Sequence, residues 1–253
     1  MSKDAIGVIY SLSLPTDINQ LFSETGTSFN PDFLIPHDKI LYYENPGHLA
    51  LLMGVLGVDL SYCKLFERDV ESADTYIQIE LLANKLNLPD EIFEKSSARL
   101  ERFIKTPDSL TMLIDRVYTD ADSYFKETDQ ESLASLSLVG GWLEAMYIGV
   151  KIYQEESVLE MGDRILQQKY TLNSLSGLLA NYQESLVVTR YMHSLANLKE
   201  AFEGVDITYP EEGFKMDPKE RTFYASAAEI NYDPETLENI CQIILKIREE
   251  ILP

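Results

Sequence analysis

Two carboxylates each stand as the single charge in a long apolar segment. Asp59 is the one charged residue in the stretch 49–60, and Glu144 is the one charged residue in the stretch 133–150. On a helix, the neighbours of Asp59 one turn away in each direction are all apolar. An ionised carboxylate in such surroundings is unstable unless it is paired or hydrogen-bonded. These two acids are therefore the strongest candidates for chemistry in the chain.

Two interpretations of the acids stay open at the level of sequence. As a functional pair, they would bind a cation or shuttle a proton between two helices. As structural groups, each would accept hydrogen bonds from tyrosine hydroxyls, from the end of a backbone segment, or from an arginine such as Arg116 or Arg164. We favour the structural interpretation, because buried charges in proteins are generally paired.

The spacing around the two acids argues against a di-metal carboxylate site. Di-iron helical bundles use Glu-x-x-His on two helices. The matching positions here are Asp59-x-x-Tyr62 and Glu144-x-x-Tyr147, in which tyrosine stands where histidine would be. The sequence therefore predicts no metal and no cofactor at this place.

An acidic segment further along the chain has part of the pattern of a calcium-binding loop. Asp120, Asp122 and Glu131 match three ligand positions of an EF-hand. Tyr124 replaces the third oxygen ligand, and Phe125 replaces the glycine that makes the turn. We interpret the segment as an acidic helix end.

The sequence has no recognisable catalytic constellation. It has neither the Gly-x-Ser-x-Gly of a serine hydrolase nor a glycine-rich phosphate loop. Its two cysteines, Cys63 and Cys241, have neither disulfide-framework nor metal-site spacing, and Cys63 is predicted to be a buried free thiol. A non-enzymatic role is therefore favoured, although catalysis stays open.

The charge balance excludes several classes of partner. The 253 residues include 21 Lys and Arg against 42 Asp and Glu, a formal net charge of −21. Nucleic acid and anionic membrane surfaces both attract basic patches, so neither is a predicted partner. The 45% apolar content is enough for a hydrophobic core.

The apolar pattern predicts an all-α bundle of about eight helices, since no strand–helix alternation occurs. The stretches 49–60 and 133–150 are apolar on every face and predict two central helices. The second is short for a membrane span and contains an acid and serines. Weaker helical patterns occupy 17–24 and 90–104.

A weak internal repeat relates the two central helices. A shift of 85 positions aligns Asp59 with Glu144 and Tyr62 with Tyr147. Glycines precede both acids and predict a close approach of the helices, within two similar helical layers. They are Gly54, Gly57, Gly140 and Gly141.

The sequence predicts one domain with four parts. Residues 1–45 form an irregular lead-in with a short helix, and 46–203 form the helical body. Residues 204–234 form a long connection with a short strand or helix near 223–230. Residues 235–253 form a C-terminal amphipathic helix packed on the body.

Three segments of the chain resemble a family of uncharacterised lipoproteins from Bacteroidetes. They are Leu52-Met53-Gly54-Val55-Leu56-Gly57-Val58-Asp59-Leu60-Ser61-Tyr62, the stretch from Val117-Tyr118 through Ala121-Asp122-Ser123-Tyr124, and Gly140-Gly141-Trp142-Leu143-Glu144-Ala145-Met146-Tyr147-Ile148. The resemblance covers roughly residues 13–204 and implies an exported protein with a lipid anchor, in the periplasm or on the cell surface. It implies no activity. The chain itself carries no predicted signal peptide or lipobox, so this localisation and membrane contact would depend on a removed N-terminus.

These observations favour a non-enzymatic binding or scaffold protein of the cell envelope, with an unidentified protein or small-molecule partner. The alternative is a small-molecule or cation-binding protein, with a pocket between the two central helices. The candidate lining residues for that pocket are Asp59, Tyr62, Tyr118, Asp122, Trp142, Glu144 and Tyr147.

Overall fold

The computed structural model describes residues 26–40, 42–89, 92, 107–208, 214–217, 222–225 and 229–252. In these ranges the chain is a bundle of helices, which confirms the predicted all-α class. The predicted helices at 17–24 and 90–104 lie outside the described residues, apart from Ile92. The helices are α1 (His37–Ile40), α2 (Pro46–Leu65), α3 (Asp69–Lys85), α4 (Pro107–Glu127), α5 (Glu131–Glu155), α6 (Leu159–Gln167), α7 (Lys169–Leu179), α8 (Leu186–Ala201) and α9 (Pro234–Ile251).

Helix α2 begins at a side-chain cap and is enclosed over most of its length. The Asn45 carboxamide oxygen accepts hydrogen bonds from the backbone N–H groups of Gly47 and His48, at 2.9 and 3.3 Å. Pro46 occupies the first helical position, where its missing N–H costs nothing. Every residue from Leu49 to Lys64 is buried. This confirms the prediction of a central helix without a polar face.

Helices α2 and α5 pack backbone against backbone. A Cβ atom built on Gly54 would overlap the Ser137 carbonyl oxygen and would lie 2.7 Å from the Gly141 nitrogen. A Cβ atom on Gly140 would likewise overlap the carbonyl oxygen of Leu51. The contacts follow the same order along both helices, so the two run parallel. The predicted close approach through glycines is confirmed at Gly54 and Gly140.

Gly57, which the sequence grouped with these contact glycines, has a different neighbour. A Cβ atom there would overlap the hydroxyl and ring of Tyr118, on α4. The prediction that Gly57 faces the other central helix is therefore wrong. Residue 57 follows residue 54 by almost one turn, but the crossing α5 backbone contacts only the face that carries Gly54.

Helices α2 and α5 are each long and apolar enough to cross a lipid bilayer, judged by length and composition alone. Their most apolar windows have mean hydropathies of 1.3 and 1.4, and 83% and 72% of those windows are buried inside the protein. Core helices of soluble proteins pass the same test, so this is weak evidence for a membrane span. The expectation that the second apolar segment is too short does not hold, because α5 has 25 residues.

The predicted connection at 204–234 contains paired strands. Strand β1 (Asp206–Thr208) pairs antiparallel with β4 (Glu229–Asn231), and β2 (Phe214–Asp217) pairs antiparallel with β3 (Thr222–Ala225). After α8 the chain therefore continues into β1, and it comes back antiparallel along β4 before α9 begins. Asp233 caps the start of α9, where its side chain accepts a hydrogen bond from the Glu235 N–H at 3.2 Å.

We expect Gly54→Ala to destabilise the protein by about 3 kcal/mol or more, because a methyl group cannot enter a backbone contact without separating the helices. Chemical denaturation measures the change. Gly177→Ala is the matched control, because Gly177 lies on α7 and a Cβ atom there would meet no other atom within 4 Å. That control should stabilise the protein by about 0.5–1 kcal/mol through helix propensity. Equal effects of the two substitutions would contradict the described contact.

Candidate functional site

Asp59 on α2 and Glu144 on α5 meet in the interior, just beyond the glycine contacts. Both side chains have a relative exposure of 0%. The parallel packing of the two helices brings them together, because Asp59 follows Gly54 and Glu144 follows Gly140 at nearly the same distance along each helix. The predicted pairing of the two acids is therefore present in the fold.

The two oxygens of Asp59 have different surroundings. Oδ2 accepts a hydrogen bond from the backbone N–H of Ile35 at 2.9 Å. Oδ1 is buried and receives no hydrogen bond from a donor in the described part of the chain. The Asp59 and Glu144 carboxyl groups are neighbours in the interior, close enough for a hydrogen bond between them once one is protonated. Two carboxylates cannot share a hydrogen bond without a proton, so Oδ1 is the position at which Asp59 can carry one.

The surroundings of Asp59 favour its protonated form. Burial raises the pKa of Asp59 well above its usual value, and the negative charge of Glu144 raises it further. The positive charge of Arg248 and the Ile35 N–H act in the opposite direction but are the smaller effects. These surroundings therefore favour the form of Asp59 that carries a proton.

Glu144 is neutralised by an arginine from the C-terminal helix. Arg248 Nη2 donates to Glu144 Oε1 at 3.0 Å, and Arg248 Nε donates to Oε2. The arginine is 4% exposed, and its guanidinium carbon lies 4.9 Å from the centre of the Tyr147 ring. Two parallel hydrogen bonds and a cation–π contact thus fix Arg248 on α5.

The sequence correctly predicted an arginine partner but proposed the wrong residues. Arg116 pairs with Asp120 on the surface of α4, at 3.5 Å, and Arg164 is exposed on α6. Arg248 could have been found from its register, because it falls on the buried face of α9. That face otherwise consists of Leu237, Ile240, Cys241, Ile244, Ile247 and Ile251.

Tyr62 fastens a segment that precedes the helical body. Its hydroxyl accepts a hydrogen bond from the Asn30 N–H at 3.1 Å and donates to the Ser28 carbonyl at 3.4 Å. Its ring stacks on Phe29 at 5.5 Å and meets Phe66 edge-on at 5.0 Å. Burial raises the pKa of Tyr62 to about 12. The residue is a hydrogen-bonding anchor in this structure.

Tyr118 also borders the acid pair. Its hydroxyl donates to the Met53 carbonyl oxygen, and its ring fills the space above Gly57. Burial raises the pKa of Tyr118, and the nearby charge of Asp59 adds to that effect. Tyr118 therefore lies close enough to Asp59 for the charge of that carboxylate to affect the pKa of its hydroxyl.

Trp142 and Asp122, the other predicted lining residues, make their contacts elsewhere. Trp142 Nε1 donates to Gln168 Oε1 at 3.2 Å, in the turn between α6 and α7. It precedes Glu144 by two residues and so points to another side of α5. The Asp122 carboxylate lies 2.6 Å from Lys126 Nζ, on the same helix and partly in solvent. The structure thus brings together Asp59, Tyr62, Tyr118, Glu144 and Tyr147 but not these two.

The cysteines are both free and buried, as predicted for Cys63. Burial raises the pKa of both thiols, to about 12 for Cys241. A thiol with so high a pKa is a poor nucleophile at neutral pH. Within the described ranges, no group of three or more His, Cys, Asp or Glu residues is placed to hold a metal ion.

Comparisons of the chain with protein-family models, with curated proteins and with solved structures found no match. The resemblance to Bacteroidetes lipoproteins therefore stays a prediction.

Through these contacts the site holds other segments of the chain to the two central helices. One acid and the tyrosine one turn later hold the N-terminal segment, through Ile35 and Asn30. The equivalent acid and tyrosine on α5 hold Arg248 of α9. Neither acid has an exposed oxygen in this arrangement, so neither is available to a dissolved ligand.

We expect the unfolding free energy of the Asp59→Asn variant to rise relative to that of the wild type as the pH rises. An asparagine can accept the Ile35 hydrogen bond and donate to Glu144, so it imitates the protonated acid. Because the pKa of Asp59 is raised in the folded state, its contribution to the stability of the wild type is fully present below about pH 4. That contribution is lost as the pH rises through the folded-state pKa. The difference in unfolding free energy should change by up to about 1.4 kcal/mol per pH unit.

Denaturant unfolding of both proteins from about pH 5 to pH 9 measures this difference, and the contributions of other titrating groups cancel in it. A difference that is flat over this range would contradict the shared proton.

We expect Glu144→Gln to cost about 3–5 kcal/mol, because it leaves the Arg248 guanidinium buried without a carboxylate. Glu155→Gln is the control, since Glu155 also pairs with a base, Lys151, but on the surface. Its loss should cost less than about 1 kcal/mol. Replacing Arg248 by Met in the Glu144→Gln background should recover part of the lost stability, and no recovery would argue against the ion pair as the cause.

Proposed function

We propose that this protein is a non-enzymatic binding or scaffold protein of the cell envelope. The observation that supports the proposal is the enclosure of Glu144 by Arg248, together with the enclosure of Asp59 beneath Ile35. The residues best suited to chemistry are used to hold the ends of the described chain to the core. A body of this kind presents a surface rather than a reaction centre.

The envelope location follows from the resemblance to exported lipoproteins. In that setting the protein would be tethered to the membrane by a lipid anchor. A net charge of −21 would keep the body away from an anionic bilayer surface by repulsion. The partner would be another protein or a small molecule of the envelope, and the charge argues against nucleic acid.

The alternative, a cation- or small-molecule-binding protein, needs access to the acid pair. A cation entering between the central helices would have to compete with Arg248 for Glu144 and displace the proton of Asp59. Asp59 Oδ1 is the one acid oxygen without a donor from the described residues, so it is the atom at which such binding would begin.

Thermal unfolding in the presence of Mg²⁺, Ca²⁺, Mn²⁺ or Zn²⁺ separates the two functions. A cation at one hundred times its Kd would stabilise the protein by about 2.7 kcal/mol. We expect no stabilisation that Asp59→Asn abolishes, since both acids are enclosed and Glu144 is already paired with Arg248. A cation-dependent rise in Tm that is lost in this variant would favour the alternative.

The envelope role is tested separately, by expressing the chain with a lipoprotein leader in a Bacteroidetes host and cross-linking intact cells. We expect the protein in the membrane fraction, in a cross-linked complex of discrete mass. Recovery as an uncomplexed species outside the envelope would contradict the proposal.

A further inference from the structure

The segment 26–36 is a strap that covers the acid pair on the side of Asp59. Ile35 and Phe33 are 2% and 1% exposed, so the strap inserts two large apolar side chains into the core. A single hydrogen bond, from the Ile35 N–H to Asp59 Oδ2, connects the strap to Asp59.

The strap has little regular structure of its own. One 3₁₀ turn, Pro31–Phe33, is its only helical element in the described range 26–36. Its other fastenings include the two hydrogen bonds to the Tyr62 hydroxyl, the stacking of Phe29 on the Tyr62 ring, and a partly exposed hydrogen bond from the Ser28 N–H to the Glu156 carboxylate at 3.3 Å. A short segment with little regular structure opens more readily than a packed helix.

The opposite side of the pair is much more firmly closed. Arg248 belongs to the 18-residue helix α9, whose buried face is packed on the bundle. It donates two hydrogen bonds to Glu144, so its guanidinium is already committed to that acid. If the interior has to admit water, the strap is the part that yields.

Several titratable groups of the described ranges surround Asp59, and among these groups Arg248 is the one that is positively charged at neutral pH. The tyrosines and the thiol near it are neutral there, since burial raises the pKa of each. The groups that face Asp59 are Glu144 on α5, Arg248 on α9, Tyr118 on α4, Tyr147 on α5, and Tyr62 and Cys63 on its own helix.

We propose that the Asp59–Glu144 pair is a pH-sensitive latch for the strap. With its proton, the pair and Arg248 form a neutral buried cluster, and the strap is closed. Without the proton, two carboxylates share one guanidinium in a low-dielectric interior, and the strap leaves so that water can hydrate Asp59.

One interaction acts against release, because an ionised Asp59 would accept the Ile35 hydrogen bond more strongly. That bond is a single one, however, whereas ionisation adds a second full charge to a site with one cation. The charge therefore decides the direction: raising the pH opens the strap.

Hydrogen exchange of the wild-type protein, followed by NMR, tests the latch directly. After correction for the intrinsic rate, the protection factor of the Ile35 amide should fall by up to about tenfold per pH unit once Asp59 begins to ionise. Amides of α9, such as that of Ile244, should keep their protection over the same range, about pH 5 to pH 9. A pH-independent Ile35, or an equal loss of protection in α9, would overturn the proposal, the latter because it would mean global loosening.

Two variants make the assignment to Asp59 specific. Asp59→Asn has no proton to lose and should hold the strap closed at every pH. Asp32→Asn removes an exposed acid of the strap itself and should keep the wild-type pH dependence. If Asp59→Asn retains the pH dependence, or Asp32→Asn abolishes it, the latch does not lie at the acid pair. The wild-type comparison of Ile35 with α9 stands even if a variant fails to fold.

Discussion

Two carboxylates buried at the crossing of two parallel helices impose the main constraint on this fold. Neither Asp59 nor Glu144 has any exposed surface, so water cannot solvate their charges. Their neutralisation requires one cation and one proton, and the cation comes from Arg248 at the far end of the chain. The core is therefore electrostatically complete only when α9 has docked. An interior of this kind couples distant segments, because each leaves an unbalanced charge when it detaches.

On each of the two central helices, an acid and the tyrosine one turn later hold another segment of the chain. Asp59 and Tyr62 bind backbone groups of the strap, and Glu144 and Tyr147 bind the guanidinium of Arg248. The equivalence depends on Gly54 and Gly140, which let α2 and α5 lie in parallel with their backbones in contact. The alignment seen in the sequence at a shift of 85 positions thus corresponds to two neighbouring helices in space.

Much of this arrangement could be predicted from the chain alone. The apolar stretches around Asp59 and Glu144 predicted enclosed helices. Gly54 and Gly140 predicted the close contact between these helices, because neither residue has a side chain that would hold the backbones apart. What the sequence did not single out was the particular partner from another element. Ile35 contributes a backbone N–H, which carries no residue-type signature, and Arg248 lies 104 positions from Glu144. Asp122 and Trp142 were also candidate lining residues, but helical rotation directs Trp142 toward Gln168, and Lys126 pairs with Asp122.

The net charge of −21 acquires a more definite meaning from this interior. The formal count treats Asp59 and Glu144 as ionised, whereas the pair with one proton and Arg248 sums to zero. Among the described residues Asp59 and Glu144 are the buried acids, so the other described acids carry their charge toward the surface, where mutual repulsion disfavours compactness. Ionising Asp59 adds one more negative charge at the place where no solvent screens it. The strap over Asp59 is therefore the part of the structure that responds to rising pH, because its departure lets water hydrate the new charge.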